Sequence, residues 1–408
     1  MSHRQFVLVG ACLWALAAPV SLQAQSVIDE TPTAKFRFGP LGLTPKIALR
    51  NLGVDTNPLN ESEPAEGDFT ATVEPGIDSI FQIGRGRIVA KTSLEYVHFN
   101  KASSERSLNL NQEGRLELVL NRAHPYVLGA YLRTRQRPTP EIDERVQRTT
   151  TTSGFGTAFR LGTRLRVDAE GRQSRLEFGK GQYGDEDIAD ALDRDVEIAS
   201  FATRFILTPL TTLVVRSEAQ RDRFLSSTLR DANSFSLVPG FELKPSALIS
   251  GSVGVGYRQF NAIDDTVPDF SGVVGRVDAH YIMREATLFG LRAERDLEYS
   301  VNDDQPYYVL TEATLTLTQV LGINWYLVGR IGQSSLAYRD FAFEDSTVPS
   351  ESRTDRVLTR GGGFGRKLGT DVRVGVDIDH VERRSDISSL RYSGFRFGGS
   401  ISYGFNTR

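Results

Sequence analysis

The 408 residues carry 48 Lys and Arg against 51 Asp and Glu, a formal net charge of -3, with 39% hydrophobic residues and a mean hydropathy of -0.27. So even a balance excludes the broad cationic face that nucleic-acid binding requires, and a lone cysteine, Cys12, offers no intrachain disulfide. Beyond the first twenty-odd residues no apolar run approaches the ~20 residues of a spanning helix, a test that β-barrels escape because only alternate residues of their strands face lipid.

Arg4 is followed by an apolar stretch from Phe6 to Val20 and then by Ser21, Leu22, Gln23 and Ala24, the pattern of a secretory signal peptide over residues 1–24 cut after Ala24. Cys12 follows Val9, Gly10 and Ala11 in faint likeness to an acylated lipoprotein signal, but residues 13–18 continue the apolar region past it. Removal of the signal leaves no cysteine, and therefore no thiolate metal site or thiol catalysis. Residues 25–45 read as an N-terminal periplasmic segment, and 46–408 as one domain.

That domain is a repeat without a motif. Leu108, Leu110, Leu116, Leu118 and Leu120 alternate with Asn109, Asn111, Glu113, Arg115 and Glu117, which is the period of a strand. Strands of this kind begin near Lys46, Phe69, Arg87, Leu108, Tyr126, Thr150, Leu165, Val196, Thr212, Ser234, Ser252, Phe270, Thr287, Tyr307, Trp325, Asp355, Asp371 and Leu390. Short turn-like breaks such as 84–86, 121–125 and 209–211 alternate with longer polar ones such as 55–68, 138–147, 179–195, 261–269 and 340–353. The pattern predicts an all-β, transmembrane, antiparallel up-and-down barrel of about 18 strands, with 16 to 20 admissible. Short turns and both chain ends then lie in the periplasm and long loops outside, in the outer membrane of a Gram-negative bacterium.

Alternation also assigns the faces. Ile88, Ala90, Leu94 and Tyr96 take lipid while Lys91, Ser93 and Glu95 take the lumen; Val372, Val374, Val376 and Ile378 take lipid while Arg373, Asp377 and Asp379 take the lumen. The same rule sends Arg133, Arg135, Arg166, Asp168, Arg216, Glu218, Arg258, Arg276, Asp278, Arg292, Glu294, Asp296 and Arg330 inward, since an Arg facing the bilayer midplane costs ~2–4 kcal/mol. Tyr126, Tyr281, Trp325, Tyr326 and Tyr403 lie near strand ends, where interfacial girdles belong. Most inward Arg have an acid two positions away, so the plain reading of these pore-lining residues is a hydrated wall of paired ions. Inward Ser252, Gly254 and Gly256, with Gly398, Ser400 and Ser402, leave room beside hydroxyls, as a hydroxyl-rich polymer would need. The acidic stretch 185–193 could form a short helix; its default placement is a solvated surface loop, with an inward constriction as the alternative.

The first strand, residues 43–57 (LTPKIALRNLGVDTN), together with the barrel layout, resembles the Putative β-barrel porin type 2 family of outer-membrane proteins, which is associated with exopolysaccharide systems. The layout is also similar to eighteen-strand polysaccharide exporters such as the alginate exporter. The resemblance implies an outer-membrane pore and no catalytic residues. Its expected partners are outer-membrane lipid, the barrel-assembly machinery, a secreted polysaccharide and periplasmic export components. Passage of a polysaccharide is the leading reading and a diffusion porin the alternative, with an adhesive barrel or a lipid-modifying enzyme behind them. The chain departs from the usual aromatic terminus, since Phe405 is followed by Asn406, Thr407 and Arg408. No enzyme is expected: of the remaining histidines only His98 and His380 lie where a lipid-facing base could act, and neither sits in a G-x-S-x-G elbow. No cofactor or metal is expected either. Asp264-Asp265 and Asp303-Asp304 lack an EF-hand pattern, and the glycines at 361–363 and 365 lack a phosphate-loop lysine and mark strand bending.

Overall fold

The computed structural model describes residues 34–62, 65–338 and 353–404. In chain order its elements are β1 (Phe36–Phe38), β2 (Leu41–Asp55), β3 (Asp68–Ile83), β4 (Gly86–Phe99), β5 (Ser107–Leu118), β6 (Ala123–Gln136), β7 (Val146–Arg160), β8 (Leu165–Phe178), β9 (Gln182–Tyr183), β10 (Glu186–Asp187) and helix α1 (Ile188–Leu192). There follow β11 (Arg194–Thr208), β12 (Thr211–Phe224), β13 (Ala232–Leu243), β14 (Ile249–Ala262), β15 (Phe270–Met283), β16 (Thr287–Tyr299), β17 (Tyr307–Leu321), β18 (Trp325–Tyr338), β19 (Thr354–Leu368), β20 (Val372–Arg384) and β21 (Tyr392–Tyr403).

Eighteen of these strands, β2 to β8 and β11 to β21, pair antiparallel each with the next in sequence, β8 passing directly to β11. The ring closes where β21 meets β2, from Ile47 opposite Tyr403 to Asp55 opposite Arg396, which leaves no open edge. A strand spacing of ~4.8 Å and a tilt of ~35–45° give such a ring a backbone diameter of about 35 Å. Every expected strand is present, each starting within five residues of its predicted position. The largest offset is β2, which begins at Leu41 rather than Lys46. Its first residues are held by β1, with Phe36 opposite Leu43 and Phe38 opposite Leu41, so β1 occupies the edge that β21 leaves beyond Tyr403. The expected signal peptide and Phe405 lie outside the described residues.

The first strand contains a bulge. Asn51 takes a positive φ of 52°, and the register slips between Leu49 and Leu52. The extra residue keeps Arg50 and Gly53 both inward and Leu49 and Leu52 both outward, so alternation survives a one-residue insertion. Asn tolerates the left-handed conformation, and a Cβ at Gly53 would overlap the Phe397 carbonyl, which accounts for the Asn-Leu-Gly sequence at this point.

Large apolar side chains stand exposed around the outside, among them Phe155, Val376 and Ile378. A continuous apolar belt of this size suits lipid and not water. The aromatic girdle is thinner than predicted. Trp325 and Tyr281 are outward, but Tyr126 and Tyr326 turn inward: a Cβ at Gly156 or Gly365 would overlap their phenol rings, and Tyr126 Oη donates to Glu170 Oε2 at 2.6 Å across β7. Each tyrosine thus bridges three strands over a glycine gap.

Candidate functional site

The ladder register puts Lys91, Glu95, Arg166, Asp168, Arg216, Glu218, Arg258, Arg276, Asp278, Arg292, Glu294, Asp296, Arg330, Arg373, Asp377 and Asp379 on the inward face. Arg133 and Arg135 are the exceptions and correct the sequence reading. Glu117 faces inward and lies opposite Tyr126, so the inward residues of β6 are even-numbered; Arg133 shares the outward face with Val127 and Tyr131 and lies opposite Leu110 and Thr149. Leu128 and Leu132 therefore point inward and the arginines outward. The penalty on an outward Arg falls to ~0–1 kcal/mol near the interface, so the rule that holds at midplane releases its grip at the loop end of the strand.

Inward charges form a cross-strand lattice. Arg330 on β18 reaches over β19 to Asp379 on β20 (Nε 2.6 Å, Nη2 2.5 Å) and to Asp377 (3.3 Å). It can do so because the two intervening inward positions are Gly361 and Gly363, where a Cβ would overlap the Asp379 and Asp377 carboxylates. The glycine run thus makes room for an ion cluster on the inner face. Arg276 pairs with the directly opposite Glu294, Arg292 with Asp278 at 3.3 Å, Arg258 with Asp296 at 2.8 Å, and Arg166 with Asp168 at 3.0 Å. Sequence reasoning missed several members, Arg204 and Arg87 among them. Arg204, almost fully buried, joins Asp168 to Glu242, and Arg87 pairs with Glu117 at 2.8 Å. Alternation carried the signal for both, Arg204 between Thr203 and Phe205 and Arg87 beside Ile88.

At the loop end the lumen is narrowed by chain folded into it. Asp187 caps α1 by accepting from Ala189 N at 2.9 Å and Asp190 N, and the helix buries Ile188, Ala191 and Leu192 in a core with Ile142, Val146, Phe224, Phe260, Tyr299 and Tyr307. Because Val146, Phe224 and Phe260 lie on inward register positions, this core is inside the barrel. The inward alternative for the 179–195 loop is the one that occurs. The helix has acids on one side and three apolar residues on the other, and those three are satisfied only by the aromatic inner wall.

Opposite α1, the ladder between β15 and β16 stops at Gly275 opposite Arg295, while β16 and β17 stay paired to Tyr299 opposite Tyr307. The tip of that hairpin leans into the lumen, with Tyr299 edge-on to Phe224 at 4.8 Å and Tyr307 Oη donating to Pro268 O at 2.7 Å. Loop 137–145 meets it there. Buried Glu141 accepts from Ser300 Oγ at 2.7 Å and Val301 N at 3.2 Å. Arg383, inward on β20, donates to Glu141 O at 2.8 Å, Asp143 Oδ2 at 2.7 Å and Asp355 Oδ2 at 2.7 Å. Buried Arg230 donates to Ser300 O at 2.9 Å, Val301 O at 2.6 Å and Asp303 Oδ1 at 2.7 Å. Loop 137–145 thus touches wall strands seven places away around the ring and crosses the mouth. Burial pushes the Glu141 and Asp143 carboxyls above the usual range, against the pull of Arg383, and lowers the Arg145 guanidinium to about 10.

The histidines and paired acids also have partners. His380 faces outward with its Nε2 at 3.0 Å from Ser393 Oγ, but Glu382, two residues on along the same face, is forked onto Arg384 at 2.7 and 3.1 Å and is not free to orient the ring. Asp264 accepts from Thr266 N at 2.9 Å, and Asp303 is held by Arg230. Among the described residues no group of three His, Asp or Glu converges as a metal site.

The family model described as "Putative beta-barrel porin 2" matches residues 36–401, nearly the whole barrel. The chain belongs to this family. This β-barrel porin 2 member has the fold of OccK2 (OpdF) of Pseudomonas aeruginosa, determined in complex with glucuronate, with a TM-score of 0.52 at 12% identity over 88% of this chain and 98% of that one. A BenF-like porin from Pseudomonas fluorescens Pf-5 gives 0.50 at 10% identity over 88% and 98%. The FrpB iron transporter from Neisseria meningitidis (F3-3 variant) gives 0.45 at 8% identity over 84% of this chain and 62% of that one, so this chain spans less than two thirds of that transporter. At such identities the likeness extends to the fold alone. No curated protein matches the sequence. Family and closed barrel together make this an outer-membrane, porin-like β-barrel.

Proposed function

We propose that this porin-family barrel is a passive, solute-preferring channel for hydrophilic molecules, with its loops outside and both chain ends in the periplasm. One observation carries the reading. The mouth is crossed by loop 137–145 and the β16–β17 tip, joined by Glu141, Arg230 and Arg383, while the wall beneath is a lattice of paired charges. A structured constriction at the mouth limits passage by size, which suits a channel that sorts small hydrophilic solutes. The lattice disfavours strong selection by charge, because its cations and anions neutralise one another locally. Selection then falls to size and hydrogen bonding.

Translocation of a secreted exopolysaccharide is the second reading, favoured by the β17–β21 sector. There Thr314, Thr316, Gly332, Ser334, Gly375 and Ser400 share the inward face, with small and hydroxyl-bearing side chains beside the ion lattice. Such a surface can hydrogen-bond successive sugar hydroxyls without holding any one tightly. Liposome swelling separates the two. Uptake of mono- and disaccharides with no block by long polysaccharide supports the solute channel, whereas block by polymer with little small-sugar flux moves the assignment to polysaccharide passage.

A further inference from the structure

Barrel strands of 12 to 16 residues exceed the ~9–11 that cross the hydrocarbon, so several residues of each stand in the headgroup layers. On the outward face these extra residues differ sharply between the two ends. Ladder positions in the loop-side half of the strands carry nine arginines, Arg133, Arg135, Arg175, Arg221, Arg223 and Arg295 on the β6–β16 arc and Arg356, Arg360 and Arg384 on β19–β20. They face four acids at ladder positions, Glu177, Asp195, Glu197 and Glu382, and Arg135 pairs at 3.2 Å with a fifth, Glu105 of the adjoining loop. At the turn end the outward positions among the described residues are apolar or uncharged apart from Arg366, which stacks over Trp325 at 5.1 Å. In a chain of net charge -3 this one-sided collar is not a consequence of composition.

Three of the acids are already taken, Asp195 by Arg175 at 2.7 Å, Glu197 by Arg221 at 3.5 Å and Glu382 by Arg384 at 2.7 Å. The surplus is concentrated at two places. On β19–β20, Arg356 lies directly opposite Arg384 and Arg360 directly opposite His380. Arg356 and Arg384 are like charges in opposed cross-strand positions, an arrangement that is destabilising unless an anion lies between them. On β5–β7, Arg106, Arg133 and Arg135 line an outward groove of about 310 Å³ with Leu108, Thr134 and Gln147. Arg133 there donates to the neutral Gln147 Oε1 at 3.2 Å and has no carboxylate within ion-pair distance among the described residues, while Leu108 is 64% exposed beneath it. A guanidinium above an exposed leucine presents a fork for a phosphate and an apolar surface for an acyl chain.

We propose that the outward arginine collar is a docking surface for phosphorylated, multiply acylated glycolipids of the outer leaflet, one molecule held through its phosphate by Arg133 in the β5–β7 groove and a second by Arg356 and Arg360 on β19–β20, seven strands away around the ring. Charge complementarity selects the ligand, since the surface is cationic, is built of arginine without lysine, and lies at the headgroup level of one leaflet only. Recognition is independent of the lumen and of what passes through it.

Native mass spectrometry of the purified protein in detergent, titrated with bis-phosphorylated lipid A, its dephosphorylated form and inorganic phosphate, tests this. The expected result is retention of phosphorylated lipid A, loss with the dephosphorylated form, and affinity about tenfold weaker in Arg133→Ala/Arg360→Ala. Both side chains are outward, so the variant keeps the heat-modifiable migration of the folded barrel, and that migration is scored in the same samples. Equal binding of phosphorylated and dephosphorylated lipid, or unaltered affinity in a folded double variant, overturns the proposal. So does retention of inorganic phosphate as strong as that of the lipid, because the site would then recognise the free anion.

Discussion

Arg230→Ala should loosen the mouth without unfolding the barrel. The guanidinium is buried and donates to two carbonyls of the β16–β17 tip, Ser300 O at 2.9 Å and Val301 O at 2.6 Å, as well as to Asp303 and Ser227. Truncating one partner of a buried charged network costs ~3–5 kcal/mol. Part of that is returned here because water can reach the tip once it lifts, and even ~3 kcal/mol shifts a docked-to-undocked equilibrium by about a hundredfold. The wall ladders of β12 and β13 do not involve the Arg230 side chain, so refolding and heat-modifiable migration should be retained. Single-channel recordings should show larger or more frequent open excursions than wild type. Val301→Cys, protected in the wild-type background by its full burial, should become reactive toward a water-soluble thiol reagent in the Arg230→Ala background. Unaltered conductance together with continued protection of that cysteine would refute the reasoning that the tip is held by Arg230.

The mouth should also respond to pH. Burial raises the Glu141 carboxyl, so the docked form binds its proton more tightly than an undocked one; docking is strongest below the ordinary carboxylate range and weakens as pH rises through the raised value, with Asp143 acting in the same sense. Conductance should therefore fall on acidification, and Glu141→Gln should flatten the response; a steeper response in the variant would reverse the sign. Gly361→Val should part Arg330 from Asp379 and strand a buried guanidinium, lowering the unfolding free energy of the refolded barrel, read from urea titration, by ~3 kcal/mol, where a value equal to wild type would deny the glycine gap its role. Cysteines at Leu94 and Val374 should be shielded by lipid while those at Glu95 and Asp377 react from water, and the opposite pattern would reverse the faces.

Strand number, closure and the facing of the midplane residues were legible in the sequence because lipid on one side and water on the other enforce a period of two at every strand. The rule fails where the environment is neither. At the loop end Leu132 turns inward while Arg133 turns out into the headgroup layer. Tyr126 and Tyr326, expected in a girdle, lie over Gly156 and Gly365, because the contact that holds them is to a neighbouring strand and leaves no mark on local periodicity. The mouth was the least readable part. Glu141, Arg230 and Arg383 are separated by scores of residues, and nothing local to any of them reveals that they converge. The acidic helix of loop 179–193 was the one local hint, and its three apolar residues were the part of the pattern that mattered.

Ion conductance of the refolded protein across a planar bilayer, with neutral and acidic sugars of increasing length added to one side, tests the central claim most directly. A water-filled channel with a structured mouth should give steady openings that short sugars traverse with brief interruptions. A barrel that stays silent across the pH range, and also in Arg230→Ala, would contradict the account of this protein as a channel.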